Sequence, residues 1–340
     1  PSLGTNTHPE VVKCLTRYVI EHGGDVDVAD SSGALGLTEA CFERSGIVDA
    51  VSNVGGRIVN FDFVDQKIVD IKGKILGKIV LPVLLDQYDH IISAAKWKVH
   101  PLMGMTGAMK NMMGIVPGAV KPWIHHKHAR TMPRLSQALL DLYAAYTPTL
   151  SVMDGIIGRE GGGSTKGKPV QANLIGASRD GLALDAACAF LMGLERQSVP
   201  MIDDGAKRGL GNGDPAQWDI CGDFPYKKGA APFDPSPVDK KANPLIGGIA
   251  YYLRDHAVRP TFPKSGCDQC DQCVRLCPTQ SLEIRNGRIV RDKTTCVGCY
   301  RCIAACDLGK VSLKVAFWAR RLFWKKAQGL NPVHFLDMEK

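Results

Sequence analysis

The chain has 340 residues, 45% of them hydrophobic and 22% charged, with a formal net charge of +8. That length exceeds one small domain and the composition supports a packed core. No apolar run approaches the roughly 18–20 residues of a membrane span, no basic-then-apolar leader opens the chain, and scattered Lys and Arg without an aromatic-interleaved motif argue against nucleic acid.

Thr7 is placed to cap a helix that starts near His8-Pro9 and runs through Val11, Leu15 and Val19 to Gly23-Gly24. Residues 25–30 alternate like a strand, and residues 38–45 read as a helix. Short strands follow at 57–61, 67–71 and 78–84, with a buried strand over 90–94. A glycine- and methionine-rich segment covers 96–118. A helix is expected over 134–146, a strand over 150–154 ending in an Asp154-Gly155 turn, and a glycine-rich loop over 158–167. A strand over 170–177 and a helix over 181–192 complete the set. Strands alternating with helices imply an α/β sheet covered by helices. From Asp203 to Ser265 the periodicity weakens, which reads as an extended connection with one helical piece over 245–255. The domain limits drawn from this are 1–205, 206–259, 260–310 and 311–340.

Eight of the twelve cysteines crowd between Cys267 and Cys306. Short regular gaps mark metal ligands in a reducing compartment such as the cytoplasm, not disulfides. The first run is Cys267-x-x-Cys270-x-x-Cys273-x-x-x-Cys277-Pro278. The second is Cys296-x-x-Cys299-x-x-Cys302-x-x-x-Cys306. Each run supplies three ligands to one [4Fe–4S] cluster and lends its fourth to the other. One cluster then uses Cys267, Cys270, Cys273 and Cys306, the other Cys277, Cys296, Cys299 and Cys302. Paired zinc knuckles would also use eight thiolates, but this spacing, repeated, favours iron–sulfur cubanes. Residues 281–290 read as a β-hairpin around Asn286-Gly287. Asp307 stands where proline is usual. Residues 260 to about 312 resemble bacterial-type dicluster ferredoxins, and the small domain is expected to be α+β. The resemblance implies low-potential one-electron steps, oxygen sensitivity and a redox partner protein.

In the large domain, polar residues gather where strands end: Asp30-Ser31-Ser32-Gly33, Lys96-Trp97-Lys98-Val99-His100, Thr106 to Asn111, Asp154-Gly155 and Glu160 to Thr165. In an open α/β sheet such segments converge on one cleft. Glycines beside Lys98, His100 and Lys110 suit an anionic small molecule; the alternative is that they only make turns beside solvated lysines. Neither a Walker A motif nor a dinucleotide fingerprint is present.

Residues 6–12 (Asn-Thr-His-Pro-Glu-Val-Val), Lys98-Val99-His100, Thr106 to Gly114, Asp154 to Gly158 and Ala177 to Ala186 together resemble the family known as domain of unknown function 362, over about residues 1–205. The resemblance implies that Lys98, His100, Lys110, Asn111, Asp154, Glu160 and Asp185 lie in or near a shared site. Such domains are often fused to a C-terminal dicluster module. Members usually begin with a strand before the Thr-His-Pro-Glu segment, so preceding sequence is expected. Val99 stands where the family often has Thr. On this reading Lys98, His100, Asp154 and Glu160 are candidate catalytic residues, and Thr106, Lys110, Asn111 and Asp185 are candidate substrate-binding residues.

Three features stand apart. His125, His126 and His128 suggest either a metal site or a surface loop. Cys14, Cys41, Cys188 and Cys221 read as small buried apolar residues, Cys41 and Cys221 being the candidates for another role. Residues 311–328 have a helical pattern, with Lys310, Lys314, Arg321 and Lys325 on one stripe flanked by Phe317, Trp318 and Trp324. That basic aromatic tail, Lys310 to Lys326, suits packing on the large domain, docking to an acidic partner, or an anionic membrane surface. The functional expectation is an electron-transferring oxidoreductase; a relay subunit of a larger complex and a metal-maturation factor are the alternatives.

Overall fold

A computed structural model describes residues 3–32, 38–100, 103–118, 120–121, 124, 131–161, 167–234, 258–263, 267–268, 270–277, 279–296, 301–306 and 308–315. The three histidines at 125–128, Cys299, the helical piece over 245–255 and the tail beyond Val315 lie outside the described residues.

Helix α1 (Pro9–Glu21) opens the fold. Its cap is His8, whose ring accepts the Glu10 N–H at 3.2 Å. Thr7, the expected cap, instead donates its hydroxyl to Ala94 O at 2.9 Å. Strands β1 (Asp27–Asp30) and β2 (Arg57–Asn60) pair in parallel. Helices α2 (Thr38–Ser45) and α3 (Ile47–Ser52) lie between them in sequence. Val12, Phe42, Ile47 and Val51 make a small core of their own there. Strands β3 (Gln66–Asp70) and β4 (Lys78–Pro82) form an antiparallel hairpin.

The main sheet has four strands: β5 (Ile92–His100), β6 (Gly104–Thr106), β7 (Leu150–Glu160) and β8 (Lys168–Ser178), in the order β6-β5-β7-β8. β5 and β7 run parallel; the other two pairings are antiparallel. β7 is longer than its sequence suggests, so Asp154 lies within a strand and not in a turn. Alternation divides β5 into two faces. Ser93, Ala95, Trp97 and Val99 are buried in the main core, while Ala94, Lys96, Lys98 and His100 share the other side.

The core is closed by the short α4 (Ala108–Asn111), α5 (Met132–Ala145), α6 (Gly181–Leu191) and α7 (Pro200–Lys207). α6 buries Leu182, Leu184, Ala186, Cys188 and Leu191, the mark of a helix enclosed on most sides. Asp180 caps it, its Oδ1 accepting the Ala183 N–H at 2.9 Å. The segment after α7 also belongs to this core: Leu210, Trp218, Phe224 and Phe233 pack on it, and the Phe233 ring lies 4.6 Å from that of Trp97. Of the four outlying cysteines only Cys188 is buried; Cys14, Cys41 and Cys221 are exposed, contrary to the expectation for small apolar residues.

In the C-terminal region β9 (Val258–Thr261) pairs antiparallel with β12 (Ser312–Val315), and β10 (Leu282–Arg285) with β11 (Arg288–Arg291). The second pair is the hairpin expected around Asn286-Gly287, both of which adopt positive φ. Two one-turn helices, α8 (Gln272–Arg275) and α9 (Arg301–Ala304), follow the starts of the cysteine runs. Residues 312–315 are therefore strand and not the start of a helix. Pairing with β9 overrides the helical periodicity, so Lys310 and Lys314 do not share a helical stripe with the residues beyond.

Candidate functional site

The polar face of β5 carries two kinds of lysine. Lys96 is buried, and its ammonium lies 2.6 Å from Asp154 Oδ2, which is fully enclosed. Register puts the two opposite each other across the parallel strands. The same carboxylate accepts the His8 N–H at 2.6 Å and the Ile156 N–H at 3.0 Å. This pair is charge-balanced and hydrogen-bonded on both oxygens, as a buried ion pair must be to persist.

Lys98, two residues on, donates to Thr5 O at 2.9 Å. Between Lys96 and Lys98, two steps along β5 match five along β7, from Asp154 to Arg159. The odd surplus inverts the in–out alternation of β7. Arg159 thereby joins the lysine face and donates to Leu3 O at 2.5 Å. Residues 3–8 thus form a strap across this face, tied through Leu3, Thr5, Thr7 and His8. Gly4 has positive φ, and a Cβ there would fall 2.1 Å from Gly158 O, so only glycine permits the approach.

Around Lys98 the lysines are not balanced. Burial lowers the Lys98 pKa, and repulsion from Lys96 and Arg159 lowers it further. Lys110, on α4, is pushed down to about 8 by burial and by repulsion from Lys98 and Lys121. Lys110 makes no hydrogen bond or ion pair among the described residues. Burial also lowers Lys121, while Asp30 and Asp62 oppose the shift. Lys121 Nζ donates to Ser31 O.

Asp30 ends β1 and forms the acidic side of the cluster. It keeps solvent-accessible surface although protein surrounds its carboxyl. That enclosure raises its pKa, and Lys121 and the Ser31 N–H oppose the rise. Its Oδ1 accepts that N–H at 2.6 Å. Gly114 packs so closely that a Cβ would lie 2.7 Å from Oδ1. Asp62 is held by Gly118 N–H and Thr38 Oγ1, each at 2.6 Å.

Of the eight residues singled out from sequence, Lys98, Thr106 and Lys110 come together. Thr106 lies opposite Lys98 in the β5–β6 register, hence on the same face. The others serve elsewhere. Asp154 is committed to Lys96. His100 accepts the Met103 N–H at 3.2 Å and supports the turn into β6. Asn111 reaches Ser93 on the opposite face of β5. Glu160 follows Arg159 and so points to the other side, where Oε2 accepts the Asp234 N–H at 2.6 Å. Asp185 accepts the Ala108 and Met109 N–H groups at 2.6 and 3.0 Å, capping the helix that carries Lys110. Burial raises its carboxyl to about 7. Sequence reading missed Lys121, Asp62 and Arg159. Asp62 was recoverable as a polar residue just past the end of β2; Lys121 and Arg159 carry no local signal.

In the C-terminal region, Cys273 and Cys302 are buried with Leu282, Ala305 and Val311. Burial raises the Cys273 thiol, and the neighbouring thiols that raise it further are Cys267, Cys306 and Cys270. The two halves repeat one hydrogen bond: Ser281 N–H to Cys277 Sγ and Lys310 N–H to Cys306 Sγ, both 3.3 Å. Arg291 reaches Cys296 Sγ at 3.4 Å. Among the described residues no three His, Cys, Asp or Glu side chains form a single-ion site. Spaced thiols in an apolar shell, with N–H donors to sulfur, fit iron–sulfur cubanes.

Residues 1–190 match the family described as domain of unknown function (DUF362). The chain belongs to that family. Behind its DUF362 domain, residues 250–319 match a 4Fe-4S dicluster domain. The chain accordingly carries two [4Fe–4S] clusters and transfers electrons through them. A thylakoid-associated protein of Synechocystis is 29% identical over 60% of this chain and 62% of its own length. The iron–sulfur subunit ArrB of a Shewanella arsenate respiratory reductase is 33% identical over 19% of this chain and 29% of its own. The electron-transfer subunit PhsB of a Salmonella typhi thiosulfate reductase is 42% identical over 13% and 25%. The chain thus spans under two thirds of each of these relatives. No solved structure matches this DUF362 protein. No helix among the described residues is long and apolar enough to cross a membrane.

Proposed function

We propose that this chain is a redox enzyme in which the dicluster domain exchanges electrons with an anionic substrate held at the lysine cluster of the DUF362 domain. The observation that carries the reading is the pair of enclosed, mutually repelling lysines Lys98 and Lys110, in the same chain as two four-cysteine runs. Bound clusters supply single electrons at low potential. The chain's own residues do the rest. The lysines draw an anion into a cleft where water screens poorly. Asp30, accessible and flanked by Lys121, is placed to hold or release a proton. Asp154 and Glu160, the proton-handling candidates from sequence, are occupied by Lys96 and by the Asp234 N–H.

We assign one cluster to Cys267, Cys270, Cys273 and Cys306 and the other to Cys277, Cys296, Cys299 and Cys302. The crowding of Cys267, Cys306 and Cys270 about Cys273 supports the crossed use of Cys306. A reducing, oxygen-poor cytoplasm suits such clusters, and a protein redox partner is expected.

The test is anaerobic. Protein reduced with dithionite is mixed with small carboxylates and phosphate esters, and cluster reoxidation is followed by visible absorbance and electron paramagnetic resonance. One chemical class should reoxidise the clusters repeatedly, and Lys98→Met should abolish this with iron content intact. Equal reoxidation of both proteins by every compound, or by none, removes the proposal. The subunit roles of ArrB and PhsB favour a second reading, a relay subunit of a larger complex. Isolation of the native protein in a fixed-stoichiometry assembly would favour it.

A further inference from the structure

Among the described residues, one buried hydroxyl on the lysine face has no partner. Thr106 is 8% exposed, and its Oγ1 makes no hydrogen bond. Leaving such a group unsatisfied costs about 1–3 kcal/mol, and buried polar groups are nearly always paired. The neighbouring core could have taken valine at no polar cost. Thr106 instead stands opposite Lys98 and two residues ahead of the helix bearing Lys110, itself without a partner. Lys98 and Lys110 are both enclosed and repel each other, and Asp30 is the one carboxylate felt by Lys98 among the described residues. Lys96 is already neutralised by Asp154. An unpaired hydroxyl beside two enclosed lysines that repel each other is a donor set suited to an anion.

We infer that this face is an oxyanion seat in which Lys98, Lys110 and Lys121 supply charge and Thr106 Oγ1 supplies a directional hydrogen bond. The class of ligand is a small carboxylate or a tetrahedral oxyanion such as a phosphate or sulfate group. This names the substrate class for the proposed function and rests on that reading only for the ligand's role as substrate. Lysine charge alone would hold any anion. The added hydroxyl selects one presenting an acceptor oxygen, since the donor has a fixed position on a sheet strand. Asp185 and Asn111 fix the far end of the seat by anchoring α4 at Ala108, Met109 and Ser93.

The probes are sodium sulfate and sodium acetate, titrated calorimetrically into anaerobic, oxidised holoprotein with no electron donor present. Binding is thereby separated from electron delivery. At least one anion should bind at a single site. Thr106→Val should weaken it about tenfold or more, the loss of one hydrogen bond to a charged group. Lys110→Met should weaken it at least as much. Lys110→Met should also raise the melting temperature of the anion-free protein, because it removes an enclosed charge repelled by Lys98 and Lys121. Neither anion binding, or both variants binding as the parent does, would overturn the inference. A lowered melting temperature in Lys110→Met would overturn it too. If the anions bind as expected while cluster reoxidation fails, the seat stands and the enzyme reading falls.

Discussion

Replacing Lys96 by methionine tests whether the Lys96–Asp154 pair is structural. The variant keeps the apolar stem and deletes the ammonium 2.6 Å from Asp154 Oδ2. It leaves a carboxylate with no exposed surface, supported only by the His8 and Ile156 N–H groups. Removing one partner of a buried pair costs about 3–5 kcal/mol, most of it the penalty on the charge left behind. For a domain of this size each kcal/mol moves the melting temperature by about 2–4 °C. Lys96→Met should therefore melt on the order of 10 °C lower by circular dichroism under anaerobic conditions. Adding Asp154→Asn removes the stranded charge and keeps an acceptor for one N–H. The double variant should regain more than half of the loss, with a coupling of about 2 kcal/mol in the cycle. A drop of under about 2 °C in the single variant, or strict additivity in the double, would show that the two groups do not depend on each other.

Three further outcomes follow from the geometry. Lys110 sits near pKa 8, facing Lys98 and Lys121 with Asp30, Asp62 and Arg159 nearby, so sulfate affinity should fall as pH rises through about 8. Lys110→Arg stays charged and should hold its affinity to higher pH; parallel profiles for both proteins would contradict this. The Asp185 carboxyl is raised to about 7 from an ordinary 3.8, so the folded chain binds that proton more tightly than the unfolded one. Its contribution to stability is full below about pH 4 and is lost as pH rises through about 7. Asp185→Asn should flatten that part of the urea-unfolding profile, and an unaltered slope would count against the assignment. Cys306→Ala should lower iron from about eight to about four per chain and leave the spectrum of the cluster held by the second run. Loss of the second-run cluster instead would mean that each run closes its own cube.

Much of this architecture was legible because its signals are local. The cysteine runs, the Asn286-Gly287 hairpin and the buried periodicity of α5 and α6 each lie within a few turns of chain. The cluster was only half legible. Lys98, Thr106 and Lys110 follow from the rule that polar residues at strand ends face ligands. Asp154 and Glu160 satisfied the same rule and ended on different duties. There are two causes: β7 continues through Asp154, which leaves it mid-strand, and the register shift beyond it turns Arg159 inward and Glu160 away. No period-two reading anticipates an insertion that inverts its own parity. Lys121 reaches Ser31 across 90 residues of chain, a contact that no local pattern encodes.

That irregularity also explains how one face holds two opposite electrostatic regimes. Had β7 continued in register, residue 156, an isoleucine, would stand beside Lys98, and no arginine would face it. The regular register before the shift gives Lys96 its carboxylate, and the shift gives Lys98 a second cation. A fold selected only for stability has no reason to enclose Lys98 and Lys110 together, because the two repel each other and both lose hydration. Charge frustration of this kind persists when something outside the chain relieves it. The strap accepts from Lys98 and Arg159 through backbone carbonyls, which satisfy hydrogen bonds but carry no net charge. On the proposed reading, a bound anion would restore to Lys98 and Lys110 the ordinary basicity that enclosure has taken from them.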